Sequence, residues 1–402
     1  LAFMDSIKVK NPLLISRYCG HFHAANTRGL KESGLWDKHD VNIPRYDDGS
    51  PKGQLTEGAA GSIIDTIAEI YEHPVNISRL VKKACIKLAS EGITSVHACD
   101  APSYALGEDL AACQRLDEKG ELPIRWACYH DELPNYKIKS GFGNDKLFVA
   151  GLKIFADGTL GGHTCAMRED FSDEPGNKGQ LNHSDEEMTS LLRDAQKRGL
   201  QVQIHTIGDL GLEQTLRAIK AVKAELGEPA LPYRINHAIV CPKDLLKELK
   251  ALGCVVDIQP IQAHTDRNMT PLRVGDERMK TCYAFKSLVE NIDVVTGSSD
   301  APMEDPNPWL GIWSAVTLSN FDGTPLKHYN LDEKLTLDQA LTIYAVNPWK
   351  ALGKEDLGGK ISEGHRADFT VLDGDPFKVD PHDLYKTRHQ ATFVDGQQIW
   401  KS

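Results

Sequence analysis

The sequence lacks long hydrophobic runs and any excess of positive charge. No run of about eighteen apolar residues occurs among its 402 residues, so no transmembrane helix is predicted. Lys and Arg number 46 against 57 Asp and Glu, which gives a formal net charge of −11. Because a phosphate-rich partner requires a basic face, we expect neither a nucleic acid nor a membrane as a partner. A small-molecule substrate is the expected partner, and a homodimer is left open.

The cysteines lack a pairing pattern. Nine of them are scattered singly, with no CxxC pair of zinc-ribbon spacing. The dense disulfide framework of a small secreted domain is therefore excluded. Several cysteines lie inside apolar runs, where a thiol behaves as a small hydrophobic group. We predict reduced thiols and a cytoplasmic enzyme.

The sequence does contain a regular alternation of short apolar runs and amphipathic helical segments from about residue 75 onward. Strands are predicted at residues 93–97, 124–128, 149–155, 202–205, 234–239, 255–259 and 294–297. Strands separated by helices indicate parallel βαβ units, and strands that are apolar at nearly every position are typical of burial on both faces. A doubly wound sheet is the alternative, but no glycine-rich phosphate loop follows a strand. The pattern favours an α/β fold, the (β/α)₈ TIM barrel.

Three segments are predicted. Residues 1–75 are rich in loops, with a short strand at 11–17, a short helix at 24–34 and a loop at 37–61. Residues 76–355 form the barrel. Residues 356–402 form a small β unit, in which Asp395-Gly396 between alternating apolar residues predicts a hairpin.

Titratable residues lie at the ends of four predicted strands: Lys153, His205, His237 and Asp300. A single strand histidine is more often a core residue, a lone lysine can snorkel, and an aspartate can cap a loop. Four of them on four strands point instead to one site, because barrel enzymes build their sites at the carboxyl ends of the strands. Two imidazoles and a carboxylate suit zinc or a similar divalent metal. We predict one or two such ions, most simply zinc.

The motifs around these residues resemble a known family. They are Gly-Leu-Lys-Ile-Phe-Ala-Asp-Gly-Thr-Leu-Gly (151–161), Pro-Gly-Asn-Lys-Gly (175–179), Gln-Ile-His-Thr-Ile-Gly-Asp (203–209), Asn-His-Ala (236–238), Gly-Ser-Ser-Asp-Ala-Pro (297–302), Asn-Pro-Trp-Leu-Gly-Ile-Trp (307–313) and Gly-His-Arg-Ala-Asp-Phe-Thr-Val-Leu-Asp (364–373). Together they resemble the amidohydrolase superfamily and, within it, the YtcJ-like branch.

The resemblance implies a role for each residue of the constellation. Lys153 would be a carbamylated lysine that bridges two metals, His205 and His237 would bind one metal, and Asp300 would bind metal and shuttle protons. A divalent metal lowers the pKa of bound water toward ~7, and Asp300 can take that proton and pass it to a leaving amine. The implied activity is metal-dependent hydrolysis of an amide or other C–N bond, outside protein peptide bonds.

Two alternatives remain open at this point. An isomerase or a phosphoesterase can use the same ions on the same scaffold, because a fold alone does not determine the reaction. The chain can also be a catalytically decayed relative that serves as a binding or regulatory protein.

Departures from the family pattern concern mainly the N-terminal part. Relatives begin with a β-sandwich segment and a first barrel strand that ends in His-x-His. Here seven barrel strands are predicted, and the first strand and the N-terminal half of the sandwich are absent from this chain. Since seven strands cannot close an eight-stranded barrel, we expect the gene product to carry roughly 70–100 further residues before Leu1.

Other departures concern the substrate. His21 and His23 have ligand-pair spacing, but residues 17–24 resemble a later family segment that lies over the active site. We therefore favour His21 as a substrate-binding residue, in a 1–75 segment that covers the site. His97, Asp157 and His163 are further candidates for substrate contact, and His163 stands where many relatives have arginine. Asn236 stands where relatives usually have glutamate, which predicts altered support of His237.

Overall fold

A computed structural model describes residues 1–17, 21–61, 63, 74–100, 109–133 and 137–402. The chain divides into two compact units: Leu1–Val81 with Asp100–Arg115, and Lys82–Cys99 with Leu116–Ser402. Residues 18–20, which include Cys19 and part of the predicted 17–24 segment, lie outside the described residues. None of the described helices is long and apolar enough to cross a bilayer.

The first unit contains a small antiparallel sheet with strand order β1-β2-β3. Its elements are α1 (Ala2–Ser6), β1 (Leu14–Ser16), β2 (Phe22–Ala25), α2 (Thr27–Glu32) and β3 (Gln54–Thr56), followed by a 3₁₀ turn at Glu57–Ala60. The predicted helix at 24–34 is too long, because Asn26 caps α2 by accepting a hydrogen bond from the Gly29 N–H at 2.8 Å. The predicted loop at 37–61 was wrong in part, since it contains β3 and the 3₁₀ turn.

The second unit contains a seven-stranded sheet whose strands follow one another in chain order from β4 to β10. The strands are β4 (Ser95–Asp100), β5 (Arg125–His130), β6 (Leu147–Phe155), β7 (Gln201–Thr206), β8 (Arg234–His237), β9 (Val255–Ile258) and β10 (Val295–Gly297). All pairs from β5 to β10 are parallel. All seven predicted strands are found, with ends shifted by a few residues.

Helices separate and follow these strands, as the alternation predicts. They are α3 (Pro74–Ser90), α4 (Asp109–Glu118), α5 (Asp185–Arg198), α6 (Asp209–Leu226), α7 (Lys243–Ala251), α8 (Pro260–Thr265), α9 (Thr270–Met279), α10 (Phe285–Asn291), α11 (Pro308–Thr317), α12 (Leu337–Ala345) and α13 (Asn347–Ala351). Local sequence signals define the ends of some of these helices. Helix α5 begins with a capping box between Ser184 and Glu187 and ends at Gly199, whose φ is 75°.

The two faces of the sheet differ, which corrects the prediction of strands that are apolar at nearly every position. Apolar residues such as Ile204, Ile235 and Val256 belong to a core cluster that also contains Leu192 and Leu216 of the helices. The alternate residues are polar and hydrogen-bond to one another: Gln203, Arg234, Asn236, Asp257 and Thr296. A strand points successive side chains to opposite faces, so the inner face of this sheet is polar.

The C-terminal strands β11 (Phe369–Leu372), β12 (His389–Val394) and β13 (Gln397–Lys401) form an antiparallel sheet. The predicted Asp395-Gly396 hairpin is confirmed, with φ values of 50° and 74° at these two residues. Arg125 of β5 binds Asp368 in bidentate fashion, with Nε and one terminal nitrogen 2.6 and 2.9 Å from the carboxylate oxygens. This buried ion pair ties the small sheet to the seven-stranded one.

Cysteine behaves as predicted in the part of the chain that the structure describes. All eight described cysteines are free thiols, and seven of them are buried. Burial raises the pKa of the Cys85 thiol to about 12. Buried thiols of this kind pack as small hydrophobic groups and stay protonated.

Candidate active site

Lys153 lies near the carboxyl end of β6 and is 6% exposed. Its Nζ donates a close hydrogen bond to Oδ1 of Asn236 and lies 4.9 Å from the centre of the Phe155 ring. Burial lowers the pKa of Lys153. The negative charges of an ionised Cys99 and of Asp300 act in the opposite direction but do not cancel this effect. The lysine is therefore more easily neutral than an exposed one, and only a neutral amine is nucleophilic.

His205 is the next-to-last residue of β7, and His237 is the last residue of the neighbouring strand β8. The centres of their rings are 4.5 Å apart. In a regular strand His237 would face away from the side occupied by Asn236. A left-handed φ of 73° at His237 breaks that alternation. The backbone irregularity thus accounts for the meeting of two imidazoles whose strand positions have opposite parity.

Hydrogen bonds determine which ring nitrogen of each histidine carries a proton. Nε2 of His205 lies 2.9 Å from the Gly158 carbonyl oxygen, which can only accept, so Nε2 is the donor. Nδ1 of His237 lies 2.7 Å from Oε1 of Gln259, whose Nε2 donates to Ser298 and to a backbone carbonyl. In the neutral rings the lone pairs are then on Nδ1 of His205 and Nε2 of His237. These are the nitrogens that can coordinate a cation.

Asp300 follows β10 in an exposed loop. Its φ is 58°, in the left-handed region that a non-glycine residue rarely adopts. Its carboxylate is near enough to Lys153 to oppose the burial effect on the pKa of that lysine. Residues held in such backbone conformations cluster at functional sites, and His163, His237 and Asp300 all share it.

A buried polar layer lies beside these groups. Arg234 donates to both carboxylate oxygens of Asp257, from Nε at 3.1 Å and from a terminal nitrogen at 2.6 Å. Asp257 also accepts hydrogen bonds from Asn236 at 3.0 Å, from Gln203 at 3.3 Å and from Thr296. Burial alone would raise the pKa of Asp257, but the charge and hydrogen bonds of Arg234 outweigh it and lower that pKa.

This polar layer was not predicted from the sequence. His237 is supported by Gln259, whereas Asn236 contacts Lys153. A usable signal was present, because polar residues spaced by two interrupt two apolar runs: Gln201 and Gln203 in one, Asp257 and Gln259 in the other. That spacing places polar side chains together on one face of a sheet.

The candidate substrate residues of the second unit have different surroundings. Asp157 is fully buried, and its carboxylate accepts hydrogen bonds from the N–H groups of Ala166, Ile207 and Gly208 at 2.8–3.0 Å. It therefore fastens the loops that follow β6 and β7. His163 has a φ of 55° and contacts Asp173 through Nε2 at 3.1 Å. Substrate contact by either residue stays a prediction.

His97 and His21 are held by charged neighbours. Nδ1 of His97 accepts a hydrogen bond from Arg234 at 3.0 Å, within the polar layer. Burial, and then the charge of Arg234, lower the pKa of His97 to about 3. His21 belongs to the first unit, where its Nδ1 lies 2.9 Å from Oε2 of Glu57. Their roles toward a substrate, and that of the 1–75 segment as a cover, also stay predictions.

The donor set fits a divalent cation only if Lys153 takes part. Within the described residues, no three His, Cys, Asp or Glu side chains come together as a metal site. Two imidazoles with assigned lone pairs do meet. Asn236 connects Lys153 with both of them, because it contacts Lys153, is in register with His205 and precedes His237. A carbamate on Lys153 would supply oxygen ligands beside the two rings. This combination of nitrogen and oxygen donors suits zinc and related ions.

Comparison with known proteins shows the family of this chain. A model of the amidohydrolase family matches residues 1–400. The chain belongs to the amidohydrolase family. This amidohydrolase is 30% identical to the putative amidohydrolase YtcJ of Bacillus subtilis (strain 168), over 99% of the chain and 76% of YtcJ. It is 24% identical to an N-substituted formamide deformylase of Arthrobacter pascens, over 98% of the chain and 74% of that protein.

A solved structure extends the similarity to three dimensions. The crystal structure of an uncharacterized metal-dependent hydrolase from Pyrococcus horikoshii OT3 matches this amidohydrolase with a TM-score of 0.77 and 28% identity. The match covers 93% of this chain and 74% of that chain. The fold is therefore that of the TIM-barrel amidohydrolases, as predicted, and the protein is a hydrolase whose family implies a divalent metal.

Proposed function

We propose that this amidohydrolase cleaves an amide or related C–N bond of a small molecule, with water as the nucleophile. The observation that carries the proposal is the pair of imidazoles, His205 and His237, whose coordinating nitrogens are assigned by their hydrogen bonds. The buried Lys153 contacts Asn236, the residue before His237. The relative that acts on N-substituted formamides supports the bond type, since a formamide carries an amide C–N bond.

Lys153 and the two histidines have the task of holding one or two divalent ions, zinc in the simplest case. When bound, such an ion lowers the pKa of water toward ~7 and polarises a substrate carbonyl. Lys153 first reacts as the neutral amine with CO₂. Its nitrogen lone pair forms the N–C bond, one C=O π pair moves onto oxygen, and one N–H proton leaves to solvent. The product is an anionic carbamate. The side chain of Lys153 then carries a negative charge beside the metal site, where a protonated lysine would carry a positive one.

Asp300 has the task of moving a proton. One oxygen of its carboxylate accepts the proton of the attacking water and then gives it to the nitrogen of the leaving amine. The exposed position of Asp300 at the loop after β10 suits a group that must meet incoming substrate. Its backbone conformation, which costs of the order of 1–3 kcal/mol, is consistent with a function that requires this placement.

The test combines metal analysis with a substrate screen. The full chain, loaded with zinc, iron or manganese, is assayed against N-acyl amino acids, formamides and cyclic amides. We expect hydrolysis of at least one class, and a loss of about 10²–10⁴-fold in Asp300→Asn with the metal retained. Asp293→Asn, an exposed aspartate before the same strand, is the matched control. Metal-free protein after loading, or equal activity in both variants, contradicts the proposal.

A further inference from the structure

Asn236 has two ends that face chemically opposite partners. Its Nδ2 donates to Oδ2 of Asp257 at 3.0 Å, and its Oδ1 accepts a hydrogen bond from Nζ of Lys153. A carboxylate only accepts hydrogen bonds, and an amine or ammonium on lysine mainly donates them. Turning the amide over would place its oxygen against the carboxylate of Asp257 and its NH₂ group against the N–H of Lys153. Its orientation is therefore determined by chemistry.

Asp257 is in turn unable to move away from Asn236. Its two oxygens are held by Arg234, and Thr296 donates to one of them. The side chains of Arg234 and Asp257 are only 2% and 3% exposed, so water cannot replace these bonds. Arg234 is itself held by the Tyr129 hydroxyl at 2.7 Å. The amide oxygen of Asn236 thus occupies one direction relative to Lys153, set by a rigid ion pair.

We propose that Asn236, oriented by the Asp257–Arg234 pair, is the positioning residue that sets the rotation of the Lys153 side-chain nitrogen and of the carbamate formed there. The inference rests on the proposed function, because it concerns the carbamate. A neutral amine has two N–H bonds, and carbamylation replaces one of them with the N–C bond. The remaining N–H donates to Oδ1 of Asn236, so the planar carboxylate must extend to another side of Nζ.

In this chain the amide of Asn236 avoids two effects that an aspartate at the same position would have. Aspartate at position 236 would bring a second anion against Asp257 and would hold Lys153 as an ammonium ion through an ion pair. An ammonium group has no lone pair and does not react with CO₂. Asparagine accepts the N–H bond without favouring the charged lysine.

The test measures the carbamate itself. Full-length wild type, Asn236→Ala, Asn236→Asp and Lys153→Ala are equilibrated with ¹³C-bicarbonate, and the carbamate carbon signal is recorded by NMR together with zinc affinity. We expect a Lys153-dependent signal in wild type, about tenfold weaker in Asn236→Ala for the loss of one hydrogen bond to this group, and weaker still in Asn236→Asp. Zinc affinity should fall about 10–100-fold in both Asn236 variants.

Gln203→Ala is the matched control, because Gln203 donates an amide hydrogen bond to the same oxygen of Asp257 at 3.3 Å. A purely structural effect of disturbing the polar layer would lower the signal equally in this variant. Equal signals in wild type and both Asn236 variants, or equal losses in Gln203→Ala, overturn the positioning role alone. Absence of a Lys153-dependent signal in wild type overturns the carbamate of the proposed function together with it.

Discussion

Substitution of Asp257 by asparagine tests the energetic weight of the buried ion pair. The change keeps the size of the side chain but leaves the Arg234 guanidinium, 2% exposed, without a counter-charge. Removing one partner of a buried pair costs about 3–5 kcal/mol, because the remaining charge has no water to solvate it. We expect that loss in the free energy of unfolding, measured at pH 7 by urea titration and tryptophan fluorescence. Trp309 and Trp313 are buried in the same unit.

The exposed pair Glu277–Lys280 supplies the control for this experiment. Its side chains are 87% and 66% exposed, so Glu277→Gln should change the stability by less than about 1 kcal/mol. Because the pKa of Asp257 is lowered in the folded state, its stabilising effect is complete above the unfolded value of ~3.9 and is lost as the pH falls through the folded value. The difference between wild type and Asp257→Asn should then be constant from pH 8 to pH 5. Equal losses in the two variants at pH 7 would refute the reasoning.

Two further predictions concern the same sheet. The pKa of His97 is about 3, below the ~6.5 of an unfolded histidine, so only the unfolded chain binds this proton in between. Wild type should therefore lose stability as the pH falls below ~6.5. In urea titrations at pH 7 and pH 5, His97→Asn should lose less stability between the two pH values than wild type does. Equal losses in the two proteins would contradict the lowered pKa of His97. Gly151→Ala would place a Cβ 2.0 Å from the carbonyl oxygen of Gln201, so we expect a loss of at least about 1–3 kcal/mol. Gly374→Ala, where the Cβ meets nothing within 4 Å, should unfold at the wild-type urea concentration, and equal midpoints for the two variants would be the contrary result.

Much of the second unit could be predicted because its signals are local. Strands β4 to β10 alternate with amphipathic helices along the chain, and the predicted ends of these strands were misplaced by only a few residues. Local chemistry also predicts the hairpin at Asp395-Gly396. In the first unit the signals are weak. The three strands there have three or four residues each, which is too short for a periodic pattern to be distinguished from loop.

Part of the candidate site could be predicted as well. Lys153, His205, His237 and Asp300 stand out as titratable residues at strand ends. The partners of these residues could not be predicted in the same way. Gln259 is adjacent to His237 only because β8 and β9 pair, and Gly158 reaches His205 across the pairing of β6 and β7. Such contacts depend on the register of the paired strands. A slip of one residue would turn every side chain of a strand to the opposite face of the sheet.

The sequence by itself determined the order of strands and helices, the family and the identity of the candidate metal-binding residues, because these depend on residue type and on spacing along the chain. Only the tertiary structure decided which groups meet. The left-handed backbone at His237 brings its ring to His205 against the parity of the strand, and strand register places Asn236 between Lys153 and Asp257. Hydrogen bonds and electrostatic effects act over a few ångströms, so the tautomers of the two histidines and the orientation of the Asn236 amide exist only once distant segments are packed together.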